Sequence, residues 1–404
     1  MRGFQQEQLD LFVFVDALGW RIVEEYGFLT DELPYQEPCD TVFGYSSACD
    51  PSILTGKLPQ EHGHFSCFLK AENKSASPFA SLGKLGWLPE RVAGHHRLRS
   101  RLSRMLAKKL EYTGYFQLYS VPFSCLPYLD YTEKNDIYAP GGIINGNATV
   151  FSHWQASRKP WFRSDWHQSD QTNIAQVRGK IDQQSIRLGY LFTSGLDAAM
   201  HRHGTKGADT RNAIDCLEQQ IRDLFELASR RYKDVRFHVF SDHGMADMVD
   251  TSDLMSRWEK ETGLHYGADY VAVWDSTMAR FWFDNEHARE RAIRKLEQEK
   301  DGYIVREDQL AKWGCKFDDH RYGELFYLLN PGVLFVPSFM NQRFVTGMHG
   351  YAPEHPDSKA CWLTNAELES HPRSIDKIFD TMVNASKRPE EAAPQLLKST
   401  ATVS

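Results

Sequence analysis

Two hydrophobic rhythms alternate along the chain. Leu9–Val15 (LDLFVFV) is a near-continuous apolar run of the kind buried on both faces in a central parallel strand, and it stops at Asp16. Arg187–Thr193 (RLGYLFT) and Val235–Val239 are two further strand-like runs. Between these two, Thr210–Arg231 sets Ile214, Leu217, Ile221, Leu224 and Phe225 at helical spacing. Strand, helix and strand in succession predict an α/β fold: a mostly parallel central sheet covered by helices on both faces.

Two stretches break this rhythm and are expected to be insertions, at about 65–185 and 254–339. In the first, His96–Leu110 is an amphipathic helix, with Leu98, Leu102, Met105, Leu106 and Leu110 on one face and its Arg and Lys residues on a solvated one. Tyr112–Tyr138 is crowded with aromatics and prolines, and Ala139–Asn147 with glycine and asparagine, which reads as a cap. In the second, Tyr270–Trp274, Ala279–Phe283, Leu325–Leu329 and Val333–Val336 are strand-like, and Glu286–Lys300 is a charged helix. Ser374–Asn384 predicts a last helix, and 386–404 a loose polar tail. The organisation expected is one domain over 1–385.

Composition narrows the class. The 404 residues are 41% hydrophobic and 25% charged, as in a folded protein, and the net charge of −7 offers no field for polymeric nucleic acid. No run of about 18 apolar residues is present, so no membrane span is expected. The N-terminus has no basic stretch leading into an apolar one, and the seven cysteines are scattered without a CxxC pair. These features predict reduced thiols and a cytoplasmic location.

Chemistry gathers where strands end, the edge at which open α/β sheets bind ligands. Asp16 ends the first run, and Asp242-His243 follows the third, closed by Gly244. Asp197 and His201 lie four apart, so on a helix they share a face. His349 stands between glycines. Ser46 precedes a short helical segment around Ile53-Leu54 that stops at Gly56; a serine there is either an N-cap or a nucleophile facing a helix N-terminus. Oxygen and nitrogen donors of this kind suit Zn²⁺, and Mn²⁺ less well. Taken singly, they could equally be turn formers and caps.

Five stretches in order resemble the alkaline phosphatase superfamily, and most nearly its nucleotide pyrophosphatase/phosphodiesterase branch: FVFVDALGW, SSACDPSILTGKLPQEHG, LDAAMHRHG, FSDHGM and GMHGYAP. The T-G-x-x-P-x-x-H-G pattern spans Thr55–Gly63, and the family's nucleophile nine residues earlier falls on Ser46, with Ser47 a rival if the register slips. The resemblance implies an alkaline-phosphatase-like fold and two divalent metal ions. Asp197, His201 and His349 would hold one, and Asp16, Asp242 and His243 the other, with Ser46 Oγ as a further ligand. It also implies hydrolysis of a small phosphoester or nucleotide-type substrate through a phosphoseryl intermediate on Ser46. Two positions depart from the branch: serine stands where threonine is usual, and Cys67, 21 residues on, replaces an asparagine that binds a phosphoryl oxygen. Phosphodiesterase is therefore the first expectation. A monoesterase, a phospho-group transferase or mutase, and an inactive metal-binding module are the alternatives. The sulfatase branch is disfavoured because no C-x-P-S-R motif is present.

Overall fold

The computed structural model describes residues 7–88 and 94–389. Its central sheet contains β1 (Gln8–Val15), β2 (Tyr35–Cys39), β3 (Trp161–Arg163), β4 (Leu188–Thr193), β5 (Asp234–Phe240) and β6 (Ala360–Thr364). Their spatial order is β2-β6-β5-β1-β4-β3. The four strands from β5 to β3 run parallel; β6 pairs antiparallel with β5, and β2 pairs antiparallel with β6, so that β6 alone runs against the rest. Every residue of β1 and β4 is buried, the condition that the apolar runs anticipate.

Alternate residues of a strand face opposite sides, and each side has its own core. Leu11, Val13 and Val15 pack with Ile214, Leu217, Ile221 and Leu224 of helix Ala208–Arg231. Phe12 and Phe14 pack on the other side with Ile53 and Leu54 of helix Ser46–Thr55, with Trp154, and with Met382 of helix Ile378–Lys387. Helices cover both faces, as the periodicity requires.

The structure differs from the sequence reading at several places. The stretch read as a cap up to 185 rejoins the sheet much earlier, because β3 pairs with β4 along Trp161–Arg163. Three half-buried residues are too few to carry a period. In helix His96–Leu110 the buried face is rotated. Met105 is 62% exposed, whereas Arg99 is buried with its guanidinium over the Phe123 ring at 4.0 Å. The guanidinium is a flat, weakly hydrated cation that an aromatic face accepts, so a charged residue replaces an apolar one inside. The last helix runs on to Lys387, and Arg388 then pairs with Asp10 at 2.7 Å and with Asp234, so the loose tail does not begin at 386. Its remainder, 390–404, lies outside the described residues. Two strands of the central sheet, β2 at its edge and β6 beside it, carry no run that the sequence reading picks out.

The second insertion forms a four-stranded antiparallel sheet from Tyr270–Trp274, Met278–Phe283, Leu325–Leu329 and Gly302–Val305. Fully buried Arg280 ties it to the body of the protein. Its Nε reaches Asp275 Oδ2 at 2.8 Å, Nη2 donates to Ser66 Oγ at 2.8 Å, and Nη1 donates to the Tyr322 carbonyl at 2.9 Å. Removing one member of such a pair strands the other charge. Arg280→Met is expected to lower stability in urea by about 3–5 kcal/mol, and Arg280→Met with Asp275→Leu by clearly less. Equal losses in the two variants would count against this account.

Candidate metal and phosphoester site

Three parallel strands, β5, β1 and β4, end side by side. Val13 is level with Val239 on one flank and with Leu191 on the other, so whatever follows these strands emerges at one edge. Asp16 follows β1 directly, and Asp242 and His243 stand just past β5. Beyond β4 the chain turns into helix Gly195–His203, which carries Asp197 and His201 on one face, with His201 Nε2 3.2 Å from Asp197 Oδ1. His349 arrives from a distant loop. A short antiparallel bridge pairs Gly347 with Asp247 and Met348 with Ala246, and so brings His349 over the segment that follows β5. The His349 and His243 rings stack with centroids 3.7 Å apart.

All six side chains therefore meet, in two groups. In one, Asp197, His201 and His349 each offer a donor atom, and in the other Asp16, Asp242 and His243 do; within each group these atoms lie within 4.8 Å of one another. Ser46 is the first residue of helix Ser46–Thr55, with Tyr45 in the N-cap position, so its hydroxyl is not spent on capping. Its Oγ lies 3.1 Å from His243 Nε2. Neighbouring Ser47 instead donates to the Phe65 carbonyl at 3.2 Å. The register expected from the sequence is the one whose hydroxyl faces the donor groups.

The surroundings aim these donors. His201 Nδ1–H donates to the Gly347 carbonyl at 2.8 Å and His243 Nδ1–H to the Gly244 carbonyl at 3.0 Å, which turns Nε2 of each ring toward the site. The Ala17 amide, on a backbone with φ 63°, donates to Asp242 Oδ1 at 3.1 Å. Asp170 accepts from the Ser194 and Gly195 amides at 3.0 and 2.8 Å and so anchors the start of the helix bearing Asp197 and His201. The glycine closing the Asp-His pair is required by space: a Cβ on Gly244 would lie 2.3 Å from the Asp357 carbonyl oxygen.

Electrostatics point to a missing positive charge. Asp16 is driven well above the usual carboxylate range, first by burial and then by the charges of Asp242 and Asp197. Burial pulls His243 down, but the Asp242 carboxylate outweighs it and raises the imidazole to about 9. His349 is pushed well below its ordinary value by burial and by His243 and His201, leaving it in the neutral form that binds metals. Asp16 Oδ1 and His349 Nδ1 are buried without a hydrogen-bond partner, and Asp197 Oδ1 and Asp242 Oδ2 make no hydrogen bond of good geometry, each facing an imidazole Nε2, of His201 at 3.2 Å and of His243 at 2.9 Å. Such atoms are costly to leave unpaired. The donor types, their grouping and these orphaned atoms fit two divalent cations.

A cleft of about 640 Å³ opens over Ser46, lined also by Asp50, Cys67, Tyr115, Tyr119, Glu133 and Trp166. That is the size of a site for a small organic molecule. The sequence reading missed most of this lining. Cys67 is singled out by its place 21 residues after Ser46, and Asp50 could have been by lying one helical turn beyond Ser46; Glu133 and the aromatics reach the cleft through the tertiary path of the chain. Burial raises the Cys67 thiol to about 12, so it faces the cleft as a neutral, weak donor in place of the expected amide.

The model of the type I phosphodiesterase / nucleotide pyrophosphatase family matches residues 44–352. No curated protein sequence matches the chain. Among solved structures, murine ectonucleotide pyrophosphatase / phosphodiesterase 5, in an inactive form in complex with AMP, is similar with a TM-score of 0.66 at 13% identity, over 96% of each chain. The human protein of that name is similar with a TM-score of 0.64 at 12% identity, over 96% of this chain and 97% of its own. At these identities the likeness speaks for the fold. The family match covers most of the chain and includes both donor groups except Asp16, and on that ground the protein belongs to the type I phosphodiesterase / nucleotide pyrophosphatase family of phosphoester hydrolases.

Proposed function

We propose that the protein is a di-metal phosphodiesterase whose nucleophile is Ser46. The observation that carries this is the pairing of two donor triads, with their orphaned buried atoms, beside one uncapped serine hydroxyl. Asp197, His201 and His349 would hold one cation, and Asp16, Asp242, His243 and Ser46 Oγ the other; Zn²⁺ suits these donors best, with Mn²⁺ second. When bound, such a pair supplies Lewis acidity to the nucleophile and to a phosphoryl oxygen. Ser46 Oγ then attacks phosphorus, the first alcohol leaves, and water hydrolyses the phosphoseryl ester. Helix Ser46–Thr55 favours this step, because its N-terminal dipole faces the charge that builds on the phosphoryl oxygens.

A cleft of about 640 Å³ is large enough for a diester with both of its ester groups, which favours a diester over a monoester. A nucleotide-type diester is the first class to test. The murine relative is recorded in complex with AMP. Residues 1–385 are read as one catalytic domain, in which the two insertions shape the cleft.

Purified protein is expected to contain close to two zinc or manganese ions per chain by mass spectrometry and to hydrolyse bis-p-nitrophenyl phosphate. Chelation, Asp242→Ala and Ser46→Ala should each lower kcat by roughly 10³-fold or more, the scale of losing an activated nucleophile or its activator. Full turnover by chelated Asp242→Ala protein would refute the reading. Asp170→Ala, which touches no donor atom, is expected to weaken metal binding about tenfold in competition with a chelator, the usual effect of losing a supporting contact.

A further inference from the structure

Helix His96–Leu110, in the first insertion, carries six lysines and arginines and no acidic residue in its 15 positions. Its inner face is fixed. Arg99 lies over the Phe123 ring, Ser103 Oγ accepts the Leu118 amide N–H at 3.0 Å, and Leu102 and Leu106 pack against a core shared with the second insertion. The other five cations, Arg97, Arg101, Arg104, Lys108 and Lys109, are all exposed. Arg97, Arg101, Arg104 and Lys108 recur at steps of four, three and four, which sets them in one stripe along the helix. Met105, 62% exposed, lies within the patch, one turn from Arg101, Lys108 and Lys109.

Other charged helices of this protein balance their own cations. Helix Ala208–Arg231 pairs Arg222 with Glu218 at 2.8 Å and Arg230 with Glu226 at 3.3 Å. Helix Glu286–Leu296 pairs Arg289 with Glu286 at 3.0 Å and Arg294 with Glu290 at 3.4 Å. Among the described residues, none of the five outward cations of helix His96–Leu110 has an ion-pair partner, and Glu111, which ends the helix at φ 58°, pairs with none of them. Like charges strung along about 20 Å of helix repel one another, and an anionic surface relieves them. The net charge of −7 makes this a local feature, confined to one face of the molecule.

A straight stripe of this length matches a surface of repeated negative charge better than a single ion. Met105 chooses between two such surfaces. A nucleic-acid backbone would set phosphate against the apolar side chain, and the outward face has no Phe, Tyr or Trp on which a base could stack. A bilayer admits an apolar side chain between headgroups whose charge the surrounding cations neutralise. We infer that helix His96–Leu110 docks the protein on an anionic phospholipid bilayer, with Arg97, Arg101, Arg104, Lys108 and Lys109 on the headgroup anions and Met105 inserted between them. Docking through this helix is peripheral and reversible, and it weakens as salt screens the headgroups. It uses no residue of the cleft and stands apart from the hydrolase reading.

Sedimentation of the full chain with phospholipid vesicles tests this. At about 0.05 M salt, vesicles of phosphatidylcholine with roughly a third phosphatidylserine should carry the protein down, and pure phosphatidylcholine should not. Raising salt to about 0.5 M should release it. Each cation near such a surface strengthens binding by about fivefold, so Arg101→Gln with Arg104→Gln and Lys108→Gln should weaken it by about 100-fold. Met105→Gln should weaken it by about fivefold. Charge-conserving Arg101→Lys with Arg104→Lys should bind as the unmodified protein does. Equal recovery on neutral and anionic vesicles, retention at high salt, or undiminished binding of the triple variant overturns the inference. If single-stranded RNA displaces the protein from vesicles and Met105→Gln leaves vesicle binding unchanged, the stripe is a general polyanion site and the bilayer assignment falls.

Discussion

Asp16, Asp197 and Asp242 are held at one edge of a sheet and largely out of water, with donor oxygens of Asp16 and Asp242 within 4.8 Å of each other and Asp197 in the second donor group. Two like charges 4 Å apart repel by about 4 kcal/mol at the effective dielectric of a protein surface. The fold must supply that energy, or a cation must relieve it. Much of the molecule serves the first requirement: β1, β4 and β5 are locked in register by parallel ladders, and Asp170 ties down the helix that follows β4. The upward shift of Asp16 and the orphaned or poorly bonded oxygens of all three carboxylates speak for the second.

The same constraint explains why the proposed nucleophile, Ser46, sits where it does. Helix Ser46–Thr55 packs Ile53 and Leu54 into the core beside Phe12 and Phe14, so its N-terminus is fixed relative to the strand that ends at Asp16. A serine on that first turn faces the donors without being able to cap its own helix. One carboxylate-rich edge is thus opposed by the positive end of a helix dipole, and a phosphoryl group carrying negative charge fits between them.

The cap supplies a different kind of chemistry from the sheet edge. The edge is built from short side chains aimed by backbone contacts. The cap brings rings and a buried Glu133 that has no ion-pair partner among the described residues. On the proposed reading, the edge would account for what is done to a phosphoester, and the cap for which one is admitted. A family fold can therefore keep its reaction while its insertions change the substrate.

The sequence by itself determined the sheet and the donors. Leu9–Val15 and Arg187–Thr193 are apolar enough to be buried on both faces, Val235–Val239 is a shorter strand-like run, and Asp16, Asp197, His201, Asp242 and His243 stand just past these strands or on the helix that follows one. Gly244 was legible as a turn and proved to be a close approach that admits no side chain. Only the tertiary structure decided which of these residues meet. His349 reaches His243 through a two-residue bridge with no periodicity, β3 joins the sheet on three half-buried residues, and β6 pairs antiparallel after a long return of the chain. The cap was least legible, because Arg99 turns inward onto an aromatic ring and Glu133 enters the cleft from an irregular segment. Local pattern records what a residue can bury or bind. Which partners it finds depends on contacts between segments far apart along the chain, such as His243 and His349, and no local window contains both ends of such a contact.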